Sequence, residues 1–140
     1  MSLFNVFNVS GSALNAETIR LNTTASNLAN AESTNGDATK VYRARHPVFQ
    51  SMMNSEASDG NDEASSGVRI LGVVESTAPP LKSYQPAHPL ADKDGYVYTS
   101  NVNSIEEMTN MISANRSFAT NVEAINTARD LLLKVIAMGH

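Results

Sequence analysis

Heptad patterning at both ends of the chain, a proline-punctuated interval between them and a shortage of charge predict the fold class. It is mainly α, with long N- and C-terminal helices paired as a coiled-coil-like bundle and a small β-rich or irregular central module. The chain has 140 residues, enough for one domain of ordinary size. A compact globule of that length has a diameter of about 37 Å, whereas a helix over residues 105–138 would be about 50 Å long. Such a helix must pair with its counterpart, with other copies, or with both.

The first helix rests on Phe7, Leu14, Leu21 and Leu28, which recur every seven residues, with Phe4, Gly11, Thr18 and Ala25 three positions before each. Gly11 weakens the pattern by about 1 kcal/mol. The helix is therefore expected from Ser12 to Ala31, with the first ten residues conditional on partners, and Asn35-Gly36 ends it. The unit spans residues 1–34. Its first 31 residues contain only Glu17 and Arg20 as charges. A lone helix in water normally carries a charged face opposite its apolar stripe. Here Asn, Ser and Thr stand there instead, and these are mediocre helix formers. Helicity must come from packing against partners.

The last helix, in the unit 101–140, repeats the pattern with Met111, Phe118, Ile125 and Leu132, preceded at three positions by Met108, Asn115, Val122 and Arg129. Ser104 and Glu107 have the spacing of a capping box, and Gly139 is a plausible stop, giving a helix over Ile105–Met138. The interval 35–100 reads differently. Val41–Gln50 is extended, with Pro47 excluding a helix interior. Residues 54–67 are small, polar and acidic, the composition of a flexible loop. Val68–Ser76 is β-branched enough for a strand. Prolines 79, 80, 86 and 89 cut the remainder into short pieces, and Asp94-Gly95 is a turn into Tyr96-Val97-Tyr98.

Composition narrows the function. The formal charge is −4, so nothing marks a nucleic-acid or anionic-membrane partner, and no apolar run is long enough to span a bilayer. Cysteine is absent, which excludes disulfides, thiolate catalysis and Cys-ligated zinc. His46-Pro47 and His88-Pro89 lack ligand spacing. Asp59–Glu63 and Asp92–Gly95 lack the register of a calcium loop. Glycine-rich phosphate motifs and a nucleophile elbow are missing. Lys40, Arg43, Arg45 and His46 form a small basic cluster suited to a partner contact or a solvated edge. No catalytic, cofactor-binding or metal-ligating residues are expected, and the chain reads as a non-enzyme. With charged residues at 17%, below the ~25% of typical domains, something other than water is expected to cover much of the surface. No cleavable signal is expected, since the first basic residue is Arg20 and no apolar h-region precedes it.

Two stretches carry a resemblance. Leu21–Ser33 (LNTTASNLANAES) resembles the signature of the flagellar axial proteins, which make the rod and hook. Gly95–Ala128 is similar to the C-terminal part of proximal rod proteins of that family, above all Ser100–Met108 (SNVNSIEEM) and Asn115–Phe118 (NRSF). Tyr42-Arg43 and Val48-Phe49 match the family's extended segment after the first helix. The resemblance implies a structural subunit of the flagellar basal-body rod, the periplasmic drive shaft, assembling helically to transmit torque. The paired terminal helices would line the export channel and the central module would lie outside. It implies delivery, unfolded, by the flagellar type III export apparatus, which moves the expected location from the cytosol to the periplasmic rod. Expected partners are other copies, other rod subunits, and at the base a rod adaptor and the MS-ring; a type III exported adaptor or junction protein is the alternative. Expected subunit-packing residues are Leu14, Leu21, Leu28, Met108, Met111, Phe118, Val122, Ile125 and Leu132. Asn22, Asn27, Asn30, Asn115 and Asn121 are expected to hydrogen bond between subunits.

Overall fold

A computed structural model describes residues 3–53 and 66–139. In chain order it contains α1 (Leu3–Ala29), β1 (Thr34–Asn35), β2 (Arg45–Met53), β3 (Ser66–Glu75), β4 (Leu81–Tyr84), β5 (Tyr96–Thr99) and α2 (Ser104–Met138). The expected loop at 54–67 lies outside the described residues except for its last two positions, which belong to β3.

The helices run in opposite senses. Ala31, just past the end of α1, packs with Val102, at the threshold of α2, and Ala44 completes that cluster. Further along, Arg20 and Thr24 of α1 share a cleft with Glu107 and Asn110 of α2. Helix α1 is the shared wall of the molecule: α2 packs on it, and so does the antiparallel ribbon β2–β3. The ribbon carries a bulge between Val48 and Phe49. A two-stranded ribbon is marginal alone, and its support is α1. A second, three-stranded antiparallel sheet has the order β1-β5-β4. It is tied to the end of α1 by β1 and by the Ser100 N–H donating to Ser33 O at 3.1 Å.

Three local expectations are revised. Helix α1 is continuous from Leu3 through Gly11, and the turn after the glycine is pinned. Ser12 Oγ donates to Val9 O at 2.8 Å and accepts from Val68 N on β3 at 3.1 Å. The cap of α2 is Asn103, one residue earlier than the expected Ser104; its Oδ1 accepts from Ile105 N and Glu106 N. Glu107 does not reach back as the second half of a capping box, because its side chain is turned into the helix pair and is 3% exposed. Third, the α1–α2 contact follows a different line on α2. The buried residues are Glu107, Ala114 and Ala128, with half-buried Asn121 in the same register. Met111, Phe118, Ile125 and Leu132 are half-buried beside that line, and Met108, Asn115, Val122 and Arg129 all face outward.

The hydrophobic core is thin. Among the described residues, buried apolar side chains are Ala16, Ala31, Val41, Ala44, Val97, Val102, Ala114 and Ala128. Alanines dominate, so the apolar area removed from water per buried residue is small.

Candidate functional site

The densest polar construction joins α1, the start of β2 and the approach to α2. Asn27 is 0% exposed. Its Nδ2 donates to Arg45 O at 2.8 Å, and its Oδ1 accepts from Arg45 N at 2.9 Å and from the Tyr42 hydroxyl at 2.9 Å. The carboxamide thus pairs with both backbone groups of one residue, as a neighbouring strand would, and occupies the edge of β2 opposite β3. Tyr42 Oη also shares a 3.1 Å hydrogen bond with Ser26 Oγ. A second amide repeats the device: Asn101 Oδ1 accepts from Ala44 N at 2.8 Å while its Nδ2 donates to Ala78 O at 2.9 Å. Ser76 N closes the junction on Ala44 O at 2.7 Å. Buried polar groups are costly unless fully paired, and here the pairing draws on segments from every third of the chain.

Beside this junction Arg45 lies over the Tyr42 ring at 5.4 Å and pairs at 2.8 Å with Glu75, its direct partner across the ribbon. Arg20, Arg45, His46 and Glu107 line a cleft of about 360 Å³ between helices and ribbon. On the three-stranded sheet Tyr84 and Tyr96 meet edge to face at 5.2 Å, and Lys82 Nζ sits 3.8 Å from the Tyr96 ring centre. Asp92 is a turn residue whose Oδ1 accepts from Asp94 N and Tyr96 N. His88 Nδ1 accepts from Leu90 N. Asp37, whose carboxylate accepts from the Thr39 hydroxyl and backbone N–H with Lys40 nearby, is held below the usual carboxylate range. No group of three or more metal-ligating side chains gathers among the described residues, and no described helix is long and apolar enough to cross a membrane.

The expected packing residues divide into two sets. Leu14, Leu21, Leu28, Met111, Phe118, Ile125 and Leu132 are half-buried beside the α1–α2 contact, while Met108 and Val122 lie on the outer surface of α2. The expected polar residues divide too. Asn27 is buried, and its Oδ1 and one hydrogen of its Nδ2 are paired inside the chain. Asn30 and Asn121 donate locally, to Ser26 O and Ser117 O. Asn22 and Asn115 are exposed. Asn101 escaped the sequence reading altogether; it sits inside the SNVN stretch, but nothing local distinguishes a clasp from a cap there.

Comparison with known proteins bears on this arrangement directly. Residues 7–36 match the family described as "Flagella basal body rod protein", and residues 93–138 match "Flagellar basal body rod FlgEFG protein C-terminal". The flagellar basal-body rod protein FlgC of Salmonella typhimurium is 45% identical over 140 residues, covering all of both chains. FlgC of Yersinia enterocolitica is likewise 45% identical over the full length of both, and FlgC of Buchnera aphidicola subsp. Schizaphis graminum 36%. The chain belongs to the FlgC family. It is a structural subunit of the flagellar basal-body rod, not an enzyme. The two matched segments cover α1 from Phe7 onward with β1, and β5 with α2, and each supplies one of the clasping amides, Asn27 and Asn101. The polar junction is therefore built from rod-family segments at both ends of a FlgC chain, closed upon the strand start between them.

Proposed function

We propose that α1 and α2 form, with those of neighbouring copies, a coiled-coil-like inner layer around the export channel of the proximal, periplasmic rod. The units 1–34 and 101–140 supply that layer, and the unit 35–100 lies outside it. Many copies packed in a helix transmit torque, since a head-to-tail contact that does not close generates a filament. Half-buried Leu14, Leu21, Leu28, Met111, Phe118, Ile125 and Leu132, exposed Met108 and Val122, and exposed Asn22 and Asn115 complete their contacts with neighbours; Asn30 and Asn121 sit at the margins of that layer. The partners are other copies and other rod subunits, with the rod adaptor and MS-ring at the base. Delivery is by the flagellar type III export apparatus.

The observation that carries this reading is the mismatch between core and surface. The buried set is mostly alanine, while Ile105, Met108, Ile112, Leu133 and Ile136 are exposed on α2. Apolar surface on that scale marks an interaction site. The test is quantification of this chain in purified basal bodies, alongside a strain lacking its gene. The expectation is a fixed multiple of copies per basal body and rods truncated near the base in the deletion strain. One copy bound to a dissimilar protein would instead identify an adaptor.

A further inference from the structure

Three stripes run along α2. One faces α1 through Glu107, Ala114 and Ala128. A second holds Glu106, Arg116, Glu123, Asp130 and Lys134, all exposed, and is suited to water. The third follows three- and four-residue spacing from Ile105 to Ile136: exposed Ile105, Met108, Ile112, Val122, Leu133 and Ile136 belong to it, with Asn115, Ala119, Asn126 and Arg129 between them, and Arg129 is its only charge. Helix α1 also has an unpartnered stripe at the same spacing, of opposite relief: Asn8, Gly11, Asn15, Thr18, Asn22 and Ala25 are all exposed, and no charge appears in that register until Glu32, just past the helix end.

Gly11 is the anomaly in that stripe. Glycine inside a helix costs about 1 kcal/mol relative to alanine, yet among the described residues a Cβ at Gly11 would meet nothing within 4 Å. No described residue requires the missing side chain. A close neighbour would.

We propose that the first part of this α2 stripe, Ile105 to Val122, docks in parallel sense onto the small-residue stripe of α1 in a second copy of this chain. This rests on the rod-subunit reading above and names the faces that mate. Charge selects the register. Arg129 lies 24 positions after Ile105, and Glu32 lies 24 positions after Asn8, so aligning Ile105 with Asn8 sets the single cation of one stripe against the single anion of the other. In that register Met108 falls on Gly11 and Val122 on Ala25, large on small, as ridge-and-groove packing requires. The antiparallel alternative sets Arg129 against Asn8 and leaves Glu32 facing Ile105.

Two experiments on the full-length chain test this. In the first, Gly11→Leu is expressed in motile cells and also purified. The isolated protein keeps or gains thermal stability, because the site is open, while the variant is lost from basal bodies and swimming fails. Normal incorporation of Gly11→Leu overturns the proposal. In the second, the natural absence of cysteine allows Val122→Cys and Ala25→Cys to be placed in separate co-expressed copies and oxidised within basal bodies. Disulfide-linked dimers are expected from this pair and not from Met108→Cys with Ala29→Cys, which reports the antiparallel register. Dimers from the latter pair alone, or incorporated chains that form neither, overturn the docking while leaving the rod reading intact. Absence of the unaltered chain from basal bodies would overturn both.

Discussion

At the scale of single residues, Asn27 shows why this family member can hold together with so little apolar core. Its amide satisfies the N–H and C=O of Arg45 and the Tyr42 hydroxyl at once, without exposure to water. Replacing it with alanine leaves the N–H and C=O of Arg45 without this partner, while Tyr42 keeps Ser26, a loss of about 2 kcal/mol. The urea midpoint of Asn27→Ala should fall accordingly. Asn27→Asp is the sharper probe: a carboxylate accepts from Arg45 N and Tyr42 Oη as before but turns an oxygen toward Arg45 O. Chemical denaturation should place it near or below the alanine variant despite its near-identical shape. Wild-type stability for Asn27→Asp would mean the Arg45 carbonyl contact contributes nothing. Sequence inspection marks Asn27 as polar on a helix, but its partners lie 15 and 18 residues away, across a turn whose path only the tertiary fold sets.

At the scale of elements, the heptads made both helices legible, because sustained 3.5-residue apolar spacing leaves few alternatives. The exact line of contact on α2 was not. Apolar bulk draws attention to Met108 and Val122, whereas the apolar residues buried on α2 are Ala114 and Ala128, small side chains that carry little hydrophobic signal. Ala114 is 0% exposed. Ala114→Leu should force the helices apart at a cost of about 1–3 kcal/mol, seen as a lower melting temperature with helical content retained in the native state. The turn into β5 was legible from Asp94-Gly95, and its geometry shows why glycine is needed. Gly95 has φ of 81°, and a Cβ there would lie 2.9 Å from Tyr84 Cε2 and 3.2 Å from Pro86 Cβ. Gly95→Ala should cost at least the ~1–2 kcal/mol of a left-handed non-glycine residue. NMR of the variant should show the Tyr84 and Tyr96 ring signals displaced, since their edge-to-face contact borders the turn.

At the scale of the whole molecule, a long pair of helices with a shallow interior is a unit shaped to be completed by neighbours. Phe118 is half-buried and borders an open cleft with Val122 and Asn126. Phe118→Asp should therefore be tolerated during delivery as an unfolded chain yet fail when the helices must close against other copies. Cell fractionation should find the variant exported and missing from basal bodies; incorporation with normal swimming would remove Phe118 from the subunit contacts. Electron cryomicroscopy of intact basal bodies shows directly where the helices lie in the assembled shaft. The account predicts repeated copies with α1 and α2 innermost around the axial channel and the β2–β3 ribbon and three-stranded sheet outside. Copies with the sheets facing the channel and the helices outermost would contradict it.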